Sequence, residues 1–276
     1  MLRPLGRHCL RLKDGVSRAL CQFSTVDASE SSAGFLDELD RRDRAPFAVA
    51  LRKRLCDLLQ ATPGQKVADV GCGTGKVVAE LSESGVQAIG VDISEQAISR
   101  ARRRFPTADF RIASAETLPF ADGELRGYVA RLLFQHLKDP APSLAEAWRV
   151  LGPNGRLVVV DVENDLWAID CDDPSLLRRM LPAFADTVAN PWICRRFRSL
   201  LVEAGFSEVA VEMHSVVGTT LAEAGPLWTA ITGAGVAAGV LTTEQADVWL
   251  AEQVRRDAQG QLFAAIPAFF FSARRR

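Results

Sequence analysis

A glycine-punctuated turn at residues 66–75, Lys-Val-Ala-Asp-Val-Gly-Cys-Gly-Thr-Gly, constrains this 276-residue chain more than any other stretch. Val67, Ala68 and Val70 form the short apolar run of a buried parallel strand. Gly71, Gly73 and Gly75 follow at alternate positions, and a helical pattern starts at Lys76. Glycines there permit a tight turn and let a ligand approach the backbone with no Cβ in the way. The helix beyond offers free N–H groups to that ligand. The next apolar run, Ala88-Ile89-Gly90-Val91, ends at Asp92, 21 residues after Gly71. An acid about 20 residues past a glycine turn is placed to accept hydrogen bonds from two ribose hydroxyls. Turn and acid together read as a site for a nucleoside-containing cofactor.

The glycine spacing narrows the choice of cofactor. A phosphate loop needs Gly-x4-Gly-Lys-Ser/Thr. Gly75-Lys76 is present, but Val70 stands at the first glycine position and Val77 at the hydroxyl position. A dinucleotide fingerprint needs Gly-x-Gly-x-x-Gly/Ala. Its third position falls on Lys76 or Val78, and both fail. What remains is Gly-x-Gly-x-Gly. Asp69-Val70-Gly71-Cys72-Gly73-Thr74-Gly75 closely resembles motif I of the class I S-adenosylmethionine (SAM) methyltransferases.

The resemblance covers residues 66–163, with five motifs in the family's order. Val91-Asp92-Ile93-Ser94 looks like the acidic motif that grips the SAM ribose, with Ile93 beside the adenine. Ser114-Ala115-Glu116-Thr117-Leu118-Pro119-Phe120 resembles the family's Asp-Ala-x-x-Leu-Pro-Phe segment at the adenine edge. Gln135-His136-Leu137-Lys138-Asp139-Pro140 resembles the end of the fourth strand, which faces the methyl group. Glu146 through Arg149-Val150-Leu151-Gly152-Pro153-Asn154-Gly155 is similar to the turn before the fifth strand. The resemblance implies SAM as cofactor. It places Asp69, Gly71, Cys72, Gly73, Gly75, Asp92, Ile93, Ser114, Ala115, Glu116 and Arg131 in or beside its site. Three positions depart from the family pattern: Ser114 replaces Asp, Arg126 stands where a Phe-Asp pair opens the fourth strand, and Asn154 replaces a glycine. Asn tolerates positive φ, so that turn survives.

Strand and helix patterns alternate from residue 66 onward, which gives an α/β, doubly wound, mostly parallel sheet. The family implies seven strands, Rossmann-like, with the last (266–272) antiparallel. The glycine turn, Asp92, Ser114 and Gln135-His136 all fall at strand carboxyl ends, where such sheets hold their ligands. Residues 45–60 read as a helix ahead of the first strand, and 27–44, acidic then basic, as an exposed N-terminal helix. Two stretches are surplus to the minimal fold, 165–189 and 219–260, both helical in pattern. They are expected to cover the crevice as a lid and shape the acceptor pocket.

Residues 1–22 form a basic extension: Arg3, Arg7, Arg11, Lys13 and Arg18 oppose Asp14 alone. Such a segment reads as a mitochondrial transit peptide or as a plain extension ahead of a domain at 23–276. The location expected is cytoplasmic, with mitochondrial as the alternative. The net charge of −1 supplies no field for nucleic acid, and no apolar run reaches the 18 residues of a membrane span. Six scattered cysteines form no Cys-x-x-Cys pair and lie near no histidine at metal spacing, so no metal is expected. Oligomeric state is left open by the sequence.

Methyl transfer is an in-line displacement that requires a held acceptor and exclusion of water. A base is needed where the acceptor carries a proton that must leave. His136 is the candidate, because histidine titrates near neutrality. Arg131 is placed either to neutralise an acidic group or to pair with a carboxylate of the fold. The function expected is methylation of a small molecule such as a quinone, a polyketide or another metabolite. The alternatives are a protein methyltransferase and a SAM-fold protein without turnover.

Overall fold

The computed structural model describes residues 32–276. The basic segment 1–22, with Cys9, Cys21 and His8, lies outside the described residues. Helices α1 (Ser32–Arg42) and α2 (Pro46–Leu59) precede a strand–helix alternation. It runs β1 (Lys66–Val70), α3 (Lys76–Glu83), β2 (Gln87–Asp92), α4 (Glu95–Arg104), β3 (Asp109–Ile112) and β4 (Leu125–Arg131). A single 3-10 turn (Phe134–His136), α5 (Ala141–Val150) and β5 (Leu151–Val162) complete the parallel half. Then come β6 (Ala168–Ile169), α6 (Pro174–Ala185), α7 (Ile193–Glu203), β7 (Phe206–Gly218), α8 (Leu221–Ala237), α9 (Thr243–Ala258) and β8 (Ala264–Arg275).

Strands β3, β2, β1, β4 and β5 pair in parallel in that order. Strand β8 is antiparallel to β5 and to β7. The sheet has eight strands, where seven are expected. Strand β7 pairs with the whole of β8, while β5 meets residues 268–274 and β6 meets only 264–265. Hence β6 continues the β5 edge of β8, and the sheet remains seven strands wide. Two residues of strand inside a helical insertion are too few to leave a period in the sequence.

The central strands are buried on both faces, which explains their unbroken apolar runs. Val158 and Val160 belong to the cluster that contains Leu55 and Leu59 of α2 and Val77, Val78 and Leu81 of α3. Leu157 and Val159 face the other cluster, with Leu144 and Ala147 of α5 and Phe197 and Leu201 of α7. Phe110 fills the space beneath the glycine turn. A Cβ on Gly90 would lie 2.5 Å from the Phe110 ring and 2.9 Å from Cys72 Sγ.

Both insertions leave the sheet at one end. The first follows the carboxyl end of β5, and the second joins the end of β7 to the start of the antiparallel β8. That is the end at which the glycine turn and Asp92 lie. Helices α6, α8 and α9 pack together, with Trp228 and Trp249 edge to face at 5.5 Å and Trp167 against Phe184 at 5.1 Å. Helix α1, expected to be exposed, buries Leu36 and Asp40 instead. Among the described residues no helix is long and apolar enough to cross a membrane.

Gly90→Ala should overpack Phe110 and cost about 1–3 kcal/mol. The expected reading is a lower denaturant midpoint with an unchanged slope in urea unfolding.

Candidate functional site

The crevice is built from the carboxyl ends of β1, β2, β3 and β4. The turn after β1 is fastened to β2, since the Gly71 and Cys72 N–H groups both donate to the Val91 carbonyl, at 2.8 and 3.1 Å. Gly71, Gly73 and Gly75 all take positive φ, at 73°, 53° and 86°. Their roles differ. A Cβ on Gly75 would lie 2.6 Å from Phe110, and one on Gly71 would lie 3.1 Å from Leu133. A Cβ on Gly73 would meet nothing within 4 Å. Gly73 is therefore the position where a ligand has room, while Gly71 and Gly75 let the chain pack.

Asp92 ties the parts together. One carboxylate oxygen accepts the Gly73 N–H at 2.8 Å, and the other accepts the Ser94 N–H at 2.9 Å. These two bonds fix the orientation of the carboxylate beside the turn. Ser94 in turn caps α4 by accepting the Ala97 N–H at 3.1 Å. Beside Asp92, Ile93 is 58% exposed, and Ile112, its neighbour at the end of β3, is 47% exposed. Two exposed isoleucines thus lie beside the carboxylate. Ile112 carries no motif and was not singled out from the sequence.

Asp69 is 2% exposed at the end of β1. Burial pushes its carboxyl up to about 7; Arg131 opposes the rise, and Asp92 and Asp43 add to it. Arg131 itself donates to Asp43 at 2.7 Å. Of the two roles expected for Arg131, the structure shows the pairing with a carboxylate of the fold. Burial raises the Cys72 thiol well above its ordinary range. It therefore stays protonated, as a space-filling residue does.

Ser114 accepts the Glu116 N–H at 3.2 Å and closes a local turn, with Ala115 half-buried within it. The Glu146–Arg149 pair holds this segment in place. Glu146 accepts the Leu118 N–H at 2.6 Å and is gripped by Arg149, which also reaches Asp122 at 2.7 Å. Arg126 donates to the Pro153 carbonyl at 2.6 Å, at the end of the sheet remote from the crevice. Asn154 takes φ 60°, as its turn requires.

At the end of β4, Leu132 takes φ 56°. That conformation is costly for a bulky residue and marks a functional region. Nothing in the residue type announces it. Gln135 and His136 follow on the 3-10 turn. Gln135 is locked: its N–H meets Asp161 at 3.2 Å, its carbonyl accepts the Asn190 N–H at 2.8 Å, and its side chain accepts from Asn164 at 2.9 Å. Burial also pushes Asp161 up to about 7, against the hydrogen bonds it accepts from Val162, Gln135 and Phe134. His136 is half-buried, and desolvation lowers it to about 4, so it is neutral at physiological pH. Trp167 is 7% exposed and packs against Phe184 in the core of the insertion. The exposed indole near the end of β5 is Trp192, which donates to Asp165 at 3.0 Å.

The fold and crevice define a doubly wound domain of the methyltransferase type. A family model described as a methyltransferase domain matches residues 68–159, which are β1 to β5 with their connections. O-methyltransferase rstn1 of Aspergillus nomiae is 30% identical over 170 residues, 59% of this chain and 74% of that protein. Demethylmenaquinone methyltransferase of Beutenbergia cavernae is 33% identical over 143 residues, 49% of this chain and 60% of that protein. The chain spans about three fifths of the length of the first curated relatives it matches. In fold, the Bacillus YcgJ protein superposes with a TM-score of 0.59 at 18% identity, covering 82% of this chain and 97% of that one. The chain belongs to the class I SAM-dependent methyltransferase family, whose shared cofactor is SAM.

Glu146→Ala should free the Leu118 amide and remove one of the two carboxylates that hold Arg149. The expected result is a loss of about 1–3 kcal/mol, together with lost hydrogen-exchange protection at Leu118.

Proposed function

We propose that this protein transfers the methyl group of SAM to a small-molecule acceptor such as a quinone, a polyketide or a related metabolite. The observation that carries the reading is the Asp92 carboxylate at the carboxyl end of β2, oriented by the Gly73 and Ser94 N–H groups beside a Gly73 whose Cβ position is open. Asp92 would accept the ribose hydroxyls. Ile93 and Ile112 would wall the adenine, and Ser114, Ala115 and Glu116 would meet its edge. Asp69, ionised, would face the ammonium of the methionyl part. The backbone from Gly71 to Gly75, with Cys72 packed beneath it, would lie along the ligand.

When bound, SAM supplies an electrophilic methyl carried on a sulfonium. The chain's own task is to hold the acceptor in line and keep water away. The insertions that carry α6, α8 and α9 supply that cover. His136, on the turn after β4, is the group assigned to the acceptor. Burial lowers its pKa to about 4, which keeps the imidazole neutral but makes it a weaker base than the near-neutral histidine expected from the sequence, so its part is to hydrogen-bond and orient the acceptor. The relatives favour small acceptors, since one is named for a demethylated menaquinone and another as an O-methyltransferase.

Calorimetric titration of SAM and of S-adenosylhomocysteine tests the reading. Micromolar binding should be lost in Asp92→Ala, and absence of binding by the wild type would contradict it. Affinity should also depend on pH. The Asp69 carboxyl of the free protein titrates near 7, and an ammonium ligand favours its ionised form. Binding below that pH therefore releases a proton, and Kd should weaken by up to about tenfold per unit as pH falls from 7 to 5.5. Asp69→Asn should bind more weakly at pH 7 and with no such slope.

A further inference from the structure

Three acids line one side of α1 and the turn after it. Asp37, Asp40 and Asp43 are spaced three residues apart, so they share a face. Each meets arginines from elements that frame the crevice. Arg100 of α4 donates to Asp40 at 2.7 Å and to Asp37 at 2.5 Å. Arg104, the last residue of α4, donates to Asp40 and, from the same nitrogen, to Thr74 in the glycine turn, at 2.6 Å to its hydroxyl and 3.1 Å to its carbonyl. Asp43 accepts from Arg131 at 2.7 Å and lies 3.6 Å from Arg52 of α2. Asp40 and Asp43 are only 7% and 6% exposed. Asp37 lies in water and contributes little.

We propose that α1 is a latch on the cofactor crevice. In it, Asp40 and Asp43 are positioning residues that hold Arg104 on the glycine turn and Arg131 beside Asp69. The inference rests on the SAM reading given above. With both acids paired, the turn is held at Thr74 through Arg104 as well as at Gly73 through Asp92. A nucleoside seated on Asp92 then leaves only when these ion pairs open. The arginine sides of the pairs are partly exposed, so salt screens them, though less than it screens pairs that lie fully in water. Release should therefore quicken with ionic strength, and association, which passes through the same open state, should quicken with it.

The test is the rate at which labelled S-adenosylhomocysteine leaves the full-length protein in a chase, between 0.05 and 0.5 M salt. For the wild type, dissociation should quicken with salt. In Asp40→Asn it should be about tenfold faster at low salt and nearly independent of salt. Asp40→Glu should restore part of the slow release. Asp57→Asn, at a carboxylate whose partner among the described residues is Lys53 on the exposed side of α2, should leave the rate unchanged. A merely structural role for Asp40 would lower the melting temperature and spare the release rate. A folded Asp40→Asn with wild-type release overturns the latch and leaves the cofactor reading intact. Wild-type release independent of salt also overturns the latch, whether or not the variant folds. No binding by the wild type overturns both.

Discussion

The crevice depends on one carboxylate. Asp92 closes β2 and reaches back to the Gly73 amide, while its other oxygen holds the Ser94 amide at the entry to α4. The turn after β1, the end of β2 and the start of α4 thus become one rigid corner. The spacing of about 20 residues between glycine turn and acid follows from this geometry, because a strand, its helix and the return strand fill that length. The same bonds set the orientation of the carboxylate before any ligand arrives. Ligand hydroxyls would then meet an acceptor that needs no reordering.

Around that corner, packing and charge divide the work. Phe110 supports Gly75 and Gly90 from below and leaves no space for a side chain at either. Arginines from α2, α4 and β4 meet the acids of α1 and of the turn after it. The Glu146–Arg149 pair, whose motif sits far from the crevice in sequence, steadies the 114–120 segment by accepting the Leu118 amide. At the turn after β4, Asp161 and Asn164 fix Gln135.

Much of this was legible in the residues. The glycine turn, Asp92 and the alternation of strands and helices follow from local apolar runs and from the conformations only glycine adopts readily. What stayed hidden depends on distance along the chain. The acids of α1 and the arginines they meet are separated by up to 88 residues, so residues 27–44 read as an exposed charged helix. The positive φ of Leu132 has no signature, since leucine is not a residue that the left-handed region selects. Strand β6 is too short to show a period. Ile112 resembles any strand-end isoleucine until its exposure beside Asp92 is seen.

The most direct measurement is a crystal structure of the full chain with S-adenosylhomocysteine. The ribose hydroxyls are expected on the Asp92 carboxylate, the adenine between Ile93 and Ile112, and α1 in place over the glycine turn. A ligand bound elsewhere, or a nucleoside that leaves Asp92 without a ribose contact, would contradict the central claim that this corner is the cofactor site.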